Sequence, residues 1–404
     1  MDPGPRARFN AAFDEELYRR YADDLKERVG DEVGFRLAET PVFLPADLRE
    51  RCIRAGDEIV AQLCDPERIA MMRAAIPARW NVPGESALPN VACVDFAIVR
   101  DAGGTLVPRL VELQGFPSLL AFEVLQRDAW DAVLNGIAGL EGSWSSWFGG
   151  LDRAAFLELA RRTIVGDRDP KNVILLDLDP PGQKTYADFL ATSKLFGVDP
   201  VSPTALRKRG RRLYRTAPDG SELPVERIYY RLVIDELERK AVALPFDLRD
   251  AIDVEWSPHP NWFWTWSKFS LPFLDHPAIP ETRFVADLAS APDALTERYV
   301  LKPLFSFAGG GVNMRPTSDD LAAIPAADRA RWCVQEKIEY AEVLRAVDGG
   351  GVKVELRMMY LRPDDEMLPR AATNLCRLSR GELLGVDFNR ELTWVGSSIG
   401  LWRA

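Results

Sequence analysis

Two carboxylates and an amide, Asp95, Glu112 and Gln114, are the side chains in this sequence with the clearest capacity for chemistry. Two carboxylates placed together repel each other, and they are tolerated when water solvates them, when one is protonated, or when a cation lies between them. Two carboxylates and an amide carbonyl form an all-oxygen set that suits magnesium carrying nucleotide phosphates. The alternative interpretation of the same segment is a solvated sheet edge.

Lys302 and three glycines form the second group. Lys302 lies in an otherwise apolar predicted strand, residues 298–303, and a buried lysine needs an anion or a depressed pKa. Gly309, Gly310 and Gly311 follow, and glycines allow backbone amides to close over phosphates. A phosphate-binding loop and an ordinary turn both fit these glycines. Because no Gly-Lys-Ser/Thr sequence follows, the loop is not a Walker motif.

Residues 332–338 predict a strand that enters a polar hinge, which is suited to present backbone groups to adenine. A nearby acid, Glu339 or Glu342, is suited to contact ribose. The candidate nucleotide-binding residues of this segment are Gln335, Glu336, Lys337, Ile338 and Glu342.

Arginines supply the third group, because an arginine near a transferring phosphoryl group stabilises the charge spread over its oxygens. Residues 352–358 alternate in polarity, which places Lys353, Glu355 and Arg357 on one face of a strand. The candidate catalytic residues are Arg231, Arg357 and Arg377, with Arg370 as a further alternative. Surface exposure is the competing interpretation of Arg370 and Arg377.

The carboxylates lie on stretches that predict a β-hairpin. Residues 91–99 and 106–114 are rich in strand formers and flank a glycine-containing turn. Side chains alternate along a strand, so Glu112 and Gln114 share one face. Pairing across the turn places Asp95 opposite Glu112 or opposite the residue two before it. The acids and the amide are therefore expected to converge on one patch.

Helices are predicted ahead of this hairpin. Residues 10–30 form one helix, with Asn10 as its cap and Gly30 at its end, and helical segments continue through about residues 45–75. Glycine, serine and tryptophan dominate residues 141–150, which predicts a loop between lobes.

A smaller α/β lobe is predicted after this loop. Residues 173–178 form a buried strand and residues 185–196 form a helix, an order that favours a small parallel sheet. Six of the nine residues 207–215 are basic, which fits either a solvated hairpin or a clamp for an anionic substrate. The apolar strand 227–233, which holds Arg231, follows.

The composition is that of a globular protein, with 47% hydrophobic and 28% charged residues among 404, and its length predicts two to three lobes. A net charge of −10 disfavours nucleic acid as a partner. The start of the chain lacks the apolar core of a signal peptide, and no apolar run approaches the roughly 20 residues needed to span a bilayer. We therefore expect a cytoplasmic protein without membrane segments.

Histidine and cysteine are too sparse for most nucleophilic or zinc-based chemistry. The sequence has two histidines, and its five cysteines are scattered without a Cys-x-x-Cys pair. Free cysteine behaves as a small hydrophobe, so buried thiols are expected. The chemistry must come from acids, lysines, arginines and backbone amides.

The order of these motifs resembles that of the circularly permuted ATP-grasp ligases, of which glutathionylspermidine synthetase is typical. Residues 94–96, Val-Asp-Phe, and residues 111–118, Val-Glu-Leu-Gln-Gly-Phe-Pro-Ser, are similar to two motifs that those enzymes carry ahead of the lysine strand. These are an Asp-Phe strand and a Glu-x-Asn magnesium motif. The resemblance implies that Asp95, Glu112 and Gln114 are metal ligands, with Gln114 where asparagine is usual.

The later motifs extend the resemblance over about residues 90–390. Residues 260–274 are similar to the segment that carries the first nucleotide lysine of the family, which maps onto Lys268. Lys302 matches the second lysine, and the three glycines match the loop that covers the phosphates. Asp387 lies in a segment that resembles a strand of unpermuted ATP-grasp proteins and is a rival carboxylate.

The resemblance implies an α/β (α+β) protein with an ATP-grasp fold in permuted motif order and a small substrate lobe. Residues 1–150 would contain the N-terminal helices and the metal-binding hairpin, residues 151–255 the substrate lobe, and residues 256–404 the nucleotide-binding subdomains. The implied function is an ATP- and Mg²⁺-dependent ligase that joins a small-molecule carboxylate to an amine through an acyl phosphate. A nucleotide-binding protein without catalysis is the alternative. The sequence does not indicate an oligomeric state.

Overall fold

The structure, a computed structural model of the chain, describes residues 1–305, 310–381 and 392–404. The α-helices of these residues are α1 Pro3–Ala12, α2 Glu15–Val29, α3 Ala46–Leu63, α4 Pro66–Met72, α5 Phe122–Leu134, α6 Arg153–Ile164, α7 Tyr186–Phe196, α8 Ile234–Arg239, α9 Trp262–Thr265, α10 Leu295–Arg298 and α11 Ser318–Ala323. The strands are β1 Val42–Phe43, β2 Val91–Arg100, β3 Leu106–Gln114, β4 Trp144–Ser145, β5 Val173–Leu176, β6 Asp199–Val201, β7 Arg207–Arg209, β8 Arg212–Thr216, β9 Glu222–Val225, β10 Arg227–Tyr230, β11 Glu255–Ser257, β12 Thr282–Phe284, β13 Tyr299–Pro303, β14 Trp332–Glu336, β15 Glu342–Arg345, β16 Gly351–Leu361, β17 Arg370–Ser379, β18 Gly396–Ser398 and β19 Gly400–Arg403. Short 3₁₀ helices cover Arg73–Ala75, Ala78–Trp80, Pro170–Asn172, Pro180–Gly182, Pro203–Ala205, Lys268–Phe273, Val285–Asp287 and Arg329–Arg331.

The central sheet joins strands from opposite ends of the chain. Its order is β18-β17-β16-β2-β3, every neighbouring pair is antiparallel, and β15 pairs with β16. The sheet has one polar face and one apolar face. Along β16, Glu355 and Arg357 lie on the polar face, and Leu356 and Met358 lie on the apolar face. Helix α3 packs against the apolar face, where Gly56 lies close to Met358. The polar face is therefore left for the smaller sheets.

Two smaller sheets carry other candidate residues. Strands β12, β14 and β13 form an antiparallel sheet in that order, with Lys302 on β13 opposite Cys333 on β14. Strands β11, β10, β5 and β6 form a parallel sheet, in which α7 connects β5 to β6. The predicted strand–helix–strand order and its parallel sheet are confirmed.

The start of the second helix differs from the prediction. Asp14, not Asn10, caps α2, because its Oδ1 accepts a hydrogen bond from the Leu17 amide at 2.7 Å. Asn10 lies within α1 and donates to the Arg345 carbonyl. The prediction for Gly30 is confirmed, since it ends α2 in the left-handed conformation with φ 95°.

The basic stretch 207–215 forms a surface hairpin. Strands β7, β8 and β9 pair antiparallel, and the exposed side chains of Arg209 and Arg211 form ion pairs with Glu222 and Asp253. This placement favours the solvated interpretation over an anionic-substrate clamp.

The division of the chain at residues 150 and 255 remains a prediction. No helix of the described ranges has both the length and the apolar character needed to cross a membrane.

Candidate active site

The hairpin register brings the predicted acids together. Asp95 of β2 pairs with Glu112 of β3 on one side and with Arg357 of β16 on the other, so the three side chains share the polar face. A bulge between Asp95 and Phe96 shifts the register, and Ala97 then pairs with Arg109. The prediction that the acids converge on one patch is confirmed.

Asp95 is held by two arginines. Its side chain is 0% exposed, and Arg357 binds both of its oxygens, with Nε–Oδ1 at 2.7 Å and Nη2–Oδ2 at 2.6 Å. Arg377 donates to the same Oδ2. The charge of Asp95 offsets the desolvation of Arg357 and raises the pKa of that guanidinium. Asp95 thus fixes two cations beside Glu112.

Glu112 lies among four cations. Lys268 Nζ is 3.5 Å from Glu112 Oε2, and the Nη2 atoms of Arg357 and Arg377 are 3.8 and 3.9 Å from Oε1. Burial opposes ionisation of Glu112, but the charges of Lys268, Arg377, Arg357 and Lys302 outweigh it and lower the pKa of Glu112 to about 2. Glu112 is thus an anion among four cations, two of which Asp95 also engages, and the cationic groups suit an anionic ligand.

Gln114 lies next to Glu112 on the same face. Its Nε2 donates to Glu112 Oε1 at 2.9 Å. Glu112, Gln114 and Lys268 line one narrow cavity together with aromatic side chains, among them Phe116 and Phe305. Strand β3 and the segment that carries Lys268 therefore face each other.

Gly115 explains how close these two segments come. Its amide donates to the Trp266 carbonyl at 2.7 Å, and a Cβ at Gly115 would lie only 2.2 Å from the carbonyl oxygen of Trp262. Only glycine permits this approach. Gly115 directly follows Gln114, and Lys268 follows Trp266 by two residues, so the backbone contact fixes the spacing of the charged groups.

Lys302 approaches from the β12-β14-β13 sheet. Its Nζ donates to Gln335 Oε1, and Gln335 Nε2 in turn donates to Thr282. Burial lowers the pKa of Lys302, while the carboxylate of Glu112 opposes that shift. The two lysines and the two acids predicted from the sequence thus belong to one electrostatic cluster.

Glu355 and Tyr340 complete the cluster, and the sequence interpretation did not assign them a role. Glu355 pairs with Arg377 across β16 and β17, and its Oε1 forms an ion pair with that guanidinium. The Tyr340 hydroxyl donates to Glu355 Oε2 at 2.5 Å. Burial raises the pKa of Glu355, with the Arg377 charge opposing the rise. The alternation of apolar and charged residues over 352–358 is the sequence pattern that places Glu355 on the same face as Arg357.

The hinge residues border a larger cavity of about 560 Å³. Glu336, Lys337 and Ile338 line it, opposite apolar residues of the hairpin such as Val99 and Val107. Hydrogen bonds hold the hinge in place, among them those from Ala341 N to Ile98 O at 2.9 Å, from Lys337 N to Arg298 O at 2.7 Å and from Lys337 Nζ to Thr296 O at 2.7 Å. Glu342 is exposed and pairs with Lys353 in the β15–β16 ladder.

Arg109 lies between the narrow cavity at Glu112 and the larger cavity at the hinge. Arg109 precedes Glu112 on β3, nearer the hairpin turn, and its Nη2 lies 3.2 Å from Glu336 Oε2. The cavity at the hinge includes Arg109, whereas the narrow cavity includes Glu112. The polar face therefore runs from the charged cluster to the hinge.

Arg231 has a buried partner of its own. Its Nη1 donates to Asp188 Oδ2 at 2.6 Å, and Asp188 Oδ1 accepts the amides of Ala121 and Phe122 at the start of α5. This contact anchors α5 to the parallel sheet. Arg370 lies outside the cluster, exposed and paired with Glu366.

The glycine loop is described only at its end. Gly309 and the rival Asp387 lie outside the described residues. Gly310 is exposed, and Gly311 has φ 74°, a conformation that favours glycine. A Cβ at Gly311 would lie 3.1 Å from Pro303 Cγ, so this end of the loop returns beside the strand that carries Lys302.

The donor chemistry of the cluster fits magnesium through Glu112 and Gln114. Both side chains are partly exposed to the cavity and offer oxygen donors. Asp95 has different partners from those expected of a ligand, because Arg357 engages both of its oxygens. Among the described residues, no group of three or more His, Cys, Asp or Glu side chains is arranged to hold a metal ion.

Comparison with known proteins identifies the fold. The sequence matches no protein-family model and no curated protein. Among solved structures, it is similar to a glutathione synthetase-like effector, GSS30, from Globodera pallida in its apo form. The TM-score is 0.57, the identity is 12%, and the match covers 97% of this chain and 98% of that chain.

The chain has a glutathione synthetase-like fold. At 12% identity the similarity describes the fold alone. It agrees with the expected mixture of helices and several sheets, while the permuted ATP-grasp order remains a prediction.

Proposed function

We propose that this glutathione synthetase-like protein is an ATP- and Mg²⁺-dependent ligase of the permuted ATP-grasp type. It would join a small-molecule carboxylate to an amine through an acyl phosphate, in the cytoplasm. The observation that carries the proposal is Glu112, an ionised carboxylate among Lys268, Lys302, Arg357 and Arg377 at the meeting of two sheets. Four cations face three acids, Asp95, Glu112 and Glu355, and the remaining positive charge suits the phosphates of a nucleotide.

Each group of the cluster has a part in binding the triphosphate. Lys268, Lys302 and Arg377 neutralise phosphate oxygens, and Arg357 holds Asp95 in place. Glu112 and Gln114 are the proposed magnesium ligands. Bound magnesium supplies charge neutralisation to the phosphates.

The hinge cavity is the proposed base site. Ile338, Val99 and Val107 offer apolar surface. The amides of Glu336 and Lys337 are bonded to the carbonyls of Glu281 and Arg298, so the backbone of Ile338 is the proposed partner of the base. A nucleotide that lies along the polar face would place its base there and its phosphates at Lys268. Arg109 lies between the two ends.

This reaction class needs positioning and charge stabilisation rather than a protein nucleophile. The substrate carboxylate attacks the terminal phosphorus, ADP leaves, and the amine then displaces phosphate to give the amide. Cys93, the thiol next to Asp95 on the polar face, fits no nucleophilic role, because burial raises its pKa to about 11.

A nucleotide-binding protein without catalysis is the second candidate. The observation that favours it is the engagement of both Asp95 oxygens by Arg357, which leaves Glu112 as the carboxylate available to a metal. Both candidate functions include nucleotide binding, but only the ligase would turn over ATP.

The test combines binding and turnover. We expect Mg-ATP to raise the melting temperature of the unaltered protein, and a panel of amino acids and polyamines to include a pair that stimulates ADP release. Lys302→Ala should abolish both effects, whereas Lys194→Ala, a surface lysine bonded to the Arg28 carbonyl, should preserve them. Binding without ADP release would favour the second candidate, and unchanged binding by Lys302→Ala would refute the site.

A further inference from the structure

Tyr340 lies two residues after Ile338, in the connection from β14 to β15 that contains the hinge, and its side chain contacts the charged cluster. The hinge connects β14 to β15, and the next residue, Ala341, is fastened to Ile98 of β2. The Tyr340 hydroxyl reaches Glu355 Oε2 at 2.5 Å. Glu355 belongs to the central sheet, so this hydrogen bond joins the hinge to the polar face.

Glu355 continues the connection to Arg377. Its second oxygen, Oε1, forms an ion pair with Arg377 Nη2, and the same Nη2 also contacts Asp95 Oδ2. A carboxylate that is 3% exposed cannot be solvated by bulk water, so its two partners determine how it is rotated. Tyr340 fixes one oxygen, and the other oxygen is thereby presented to Arg377.

Arg377 is more exposed than the other arginine of the cluster. Its side chain is 31% exposed, compared with 5% for Arg357, and its position depends on Asp95, Glu355 and Glu112. Its Nε is buried and has no hydrogen-bond partner among the described residues. A buried donor without a partner is unfavourable, so the Arg377 guanidinium has unused capacity to donate to an anionic ligand.

We propose that Tyr340 and Glu355 are positioning residues that orient Arg377 toward the phosphates of the nucleotide. They connect the hinge, where the base binds, to the arginine at the phosphate end. The inference rests on the proposed function for the identity of the ligand. It adds that the two ends of the site act as one unit, so a change at the hinge hydroxyl affects recognition of the distal phosphates.

The alternative is that the Tyr340–Glu355 bond only stabilises the fold. Tyr360→Phe provides the matched control. Tyr360 lies on β16 like Glu355, and its buried hydroxyl donates to Asp57 at 3.0 Å, away from the arginines. A purely structural tyrosine hydroxyl should behave as Tyr360 does.

The experiment measures dissociation constants of Mg-ATP, Mg-ADP and AMP by calorimetry for the unaltered chain and for Tyr340→Phe, Glu355→Gln and Tyr360→Phe. We expect Tyr340→Phe to weaken Mg-ATP roughly tenfold, the range for a hydrogen bond to a charged group, and to leave AMP within about twofold. Glu355→Gln should act in the same direction and more strongly. Tyr360→Phe should leave the ratio of the ATP and AMP constants unchanged.

A second arm needs no nucleotide. In urea unfolding of the free chain, Tyr340→Phe and Arg377→Ala should be non-additive, because both act through Glu355. Additive effects, or equal weakening of ATP and AMP by Tyr340→Phe, would overturn the positioning role while leaving the proposed function intact. Failure of the unaltered protein to bind any nucleotide would overturn both.

Discussion

Arg357 and Asp95 face each other across neighbouring strands and make two parallel hydrogen bonds at 2.7 and 2.6 Å. The pair is buried, and 262 residues separate its members in sequence. It therefore connects the N-terminal hairpin to the C-terminal half of the sheet. The same acid also holds Arg377, so the stability of the sheet and the geometry of the site depend on one carboxylate.

Asp95→Asn should destabilise the protein strongly. The change removes the charge of the acid that accepts two hydrogen bonds from the buried Arg357, and removal of one partner of a buried pair costs about 3–5 kcal/mol. Urea unfolding measures this loss. The control is Asp47→Asn, which removes an exposed pair with Arg51 and should cost about 1 kcal/mol or less. Equal costs for the two variants would show that the buried pair has no special weight.

Gly115→Ala should separate the two sides of the site. Its Cβ would meet the Trp262 carbonyl oxygen at 2.2 Å, and this backbone can yield only by moving the segment that leads to Lys268. We expect a loss of about 1–3 kcal/mol in unfolding free energy and weaker Mg-ATP binding. Gly4→Ala, where a Cβ meets only the Asp2 carboxylate at 3.7 Å, is the control. Full retention of nucleotide affinity by Gly115→Ala would show that the close approach does not set the spacing.

Asp177 should make stability dependent on pH. Burial raises its pKa from 3.8 to about 7, with Arg231 opposing the rise. Between these two values the folded carboxyl retains a proton that the unfolded chain has lost, so the unfolding free energy falls as pH rises through this window. Relative to pH values below 3.8, the unfolding free energy at pH 8 should be lower by at most about 4 kcal/mol.

Asp177→Asn should remove that dependence. The amide oxygen can still accept the Leu178 amide, which now donates to Asp177 Oδ1 at 2.7 Å. The variant should gain stability relative to the unaltered protein at pH 8 but not at pH 4, as measured by urea unfolding at both values. A constant difference across pH would contradict the raised pKa.

Local patterns predicted the hairpin because its information is local. Strand formers, a glycine-containing turn and the alternation of Glu112 with Gln114 fix the register to within two residues, and the structure pairs Asp95 with Glu112. The parallel lobe was predictable for the same reason. The helix caps were harder to predict, because Asn10 and Asp14 both have side chains that can cap a helix. In the structure Asp14 caps α2, and Asn10 instead donates to the Arg345 carbonyl.

Long-range pairing was beyond these patterns. Nothing near Arg231 in the sequence indicates that Asp188 binds it, and the strand alternation that places Glu355 on the polar face does not identify Tyr340 as its partner. The same limit applies to Asp95. The motif suggests that Asp95 is a metal ligand, whereas in the structure it accepts hydrogen bonds from Arg357. Such contacts depend on how separate segments pack together.

Glu112→Gln should change how nucleotide binding depends on magnesium. In the unaltered chain the Glu112 carboxylate repels phosphate unless a cation lies between them, so ATP should bind more tightly with magnesium than without it. The variant leaves Lys268, Lys302, Arg357 and Arg377 without this acid. Free ATP should then bind more tightly than it does to the unaltered chain.

Calorimetry with ATP in EDTA and in magnesium measures both states. Added magnesium should strengthen binding to the unaltered chain by roughly tenfold or more and should have little effect on Glu112→Gln, since one ligand and the repulsion are both lost. Glu67→Gln, an exposed acid in the first turn of α4, is the control and should keep the magnesium effect. The same magnesium dependence in Glu112→Gln and the unaltered chain would place the metal elsewhere, because the substitution removes the carboxylate and leaves the four cations in place.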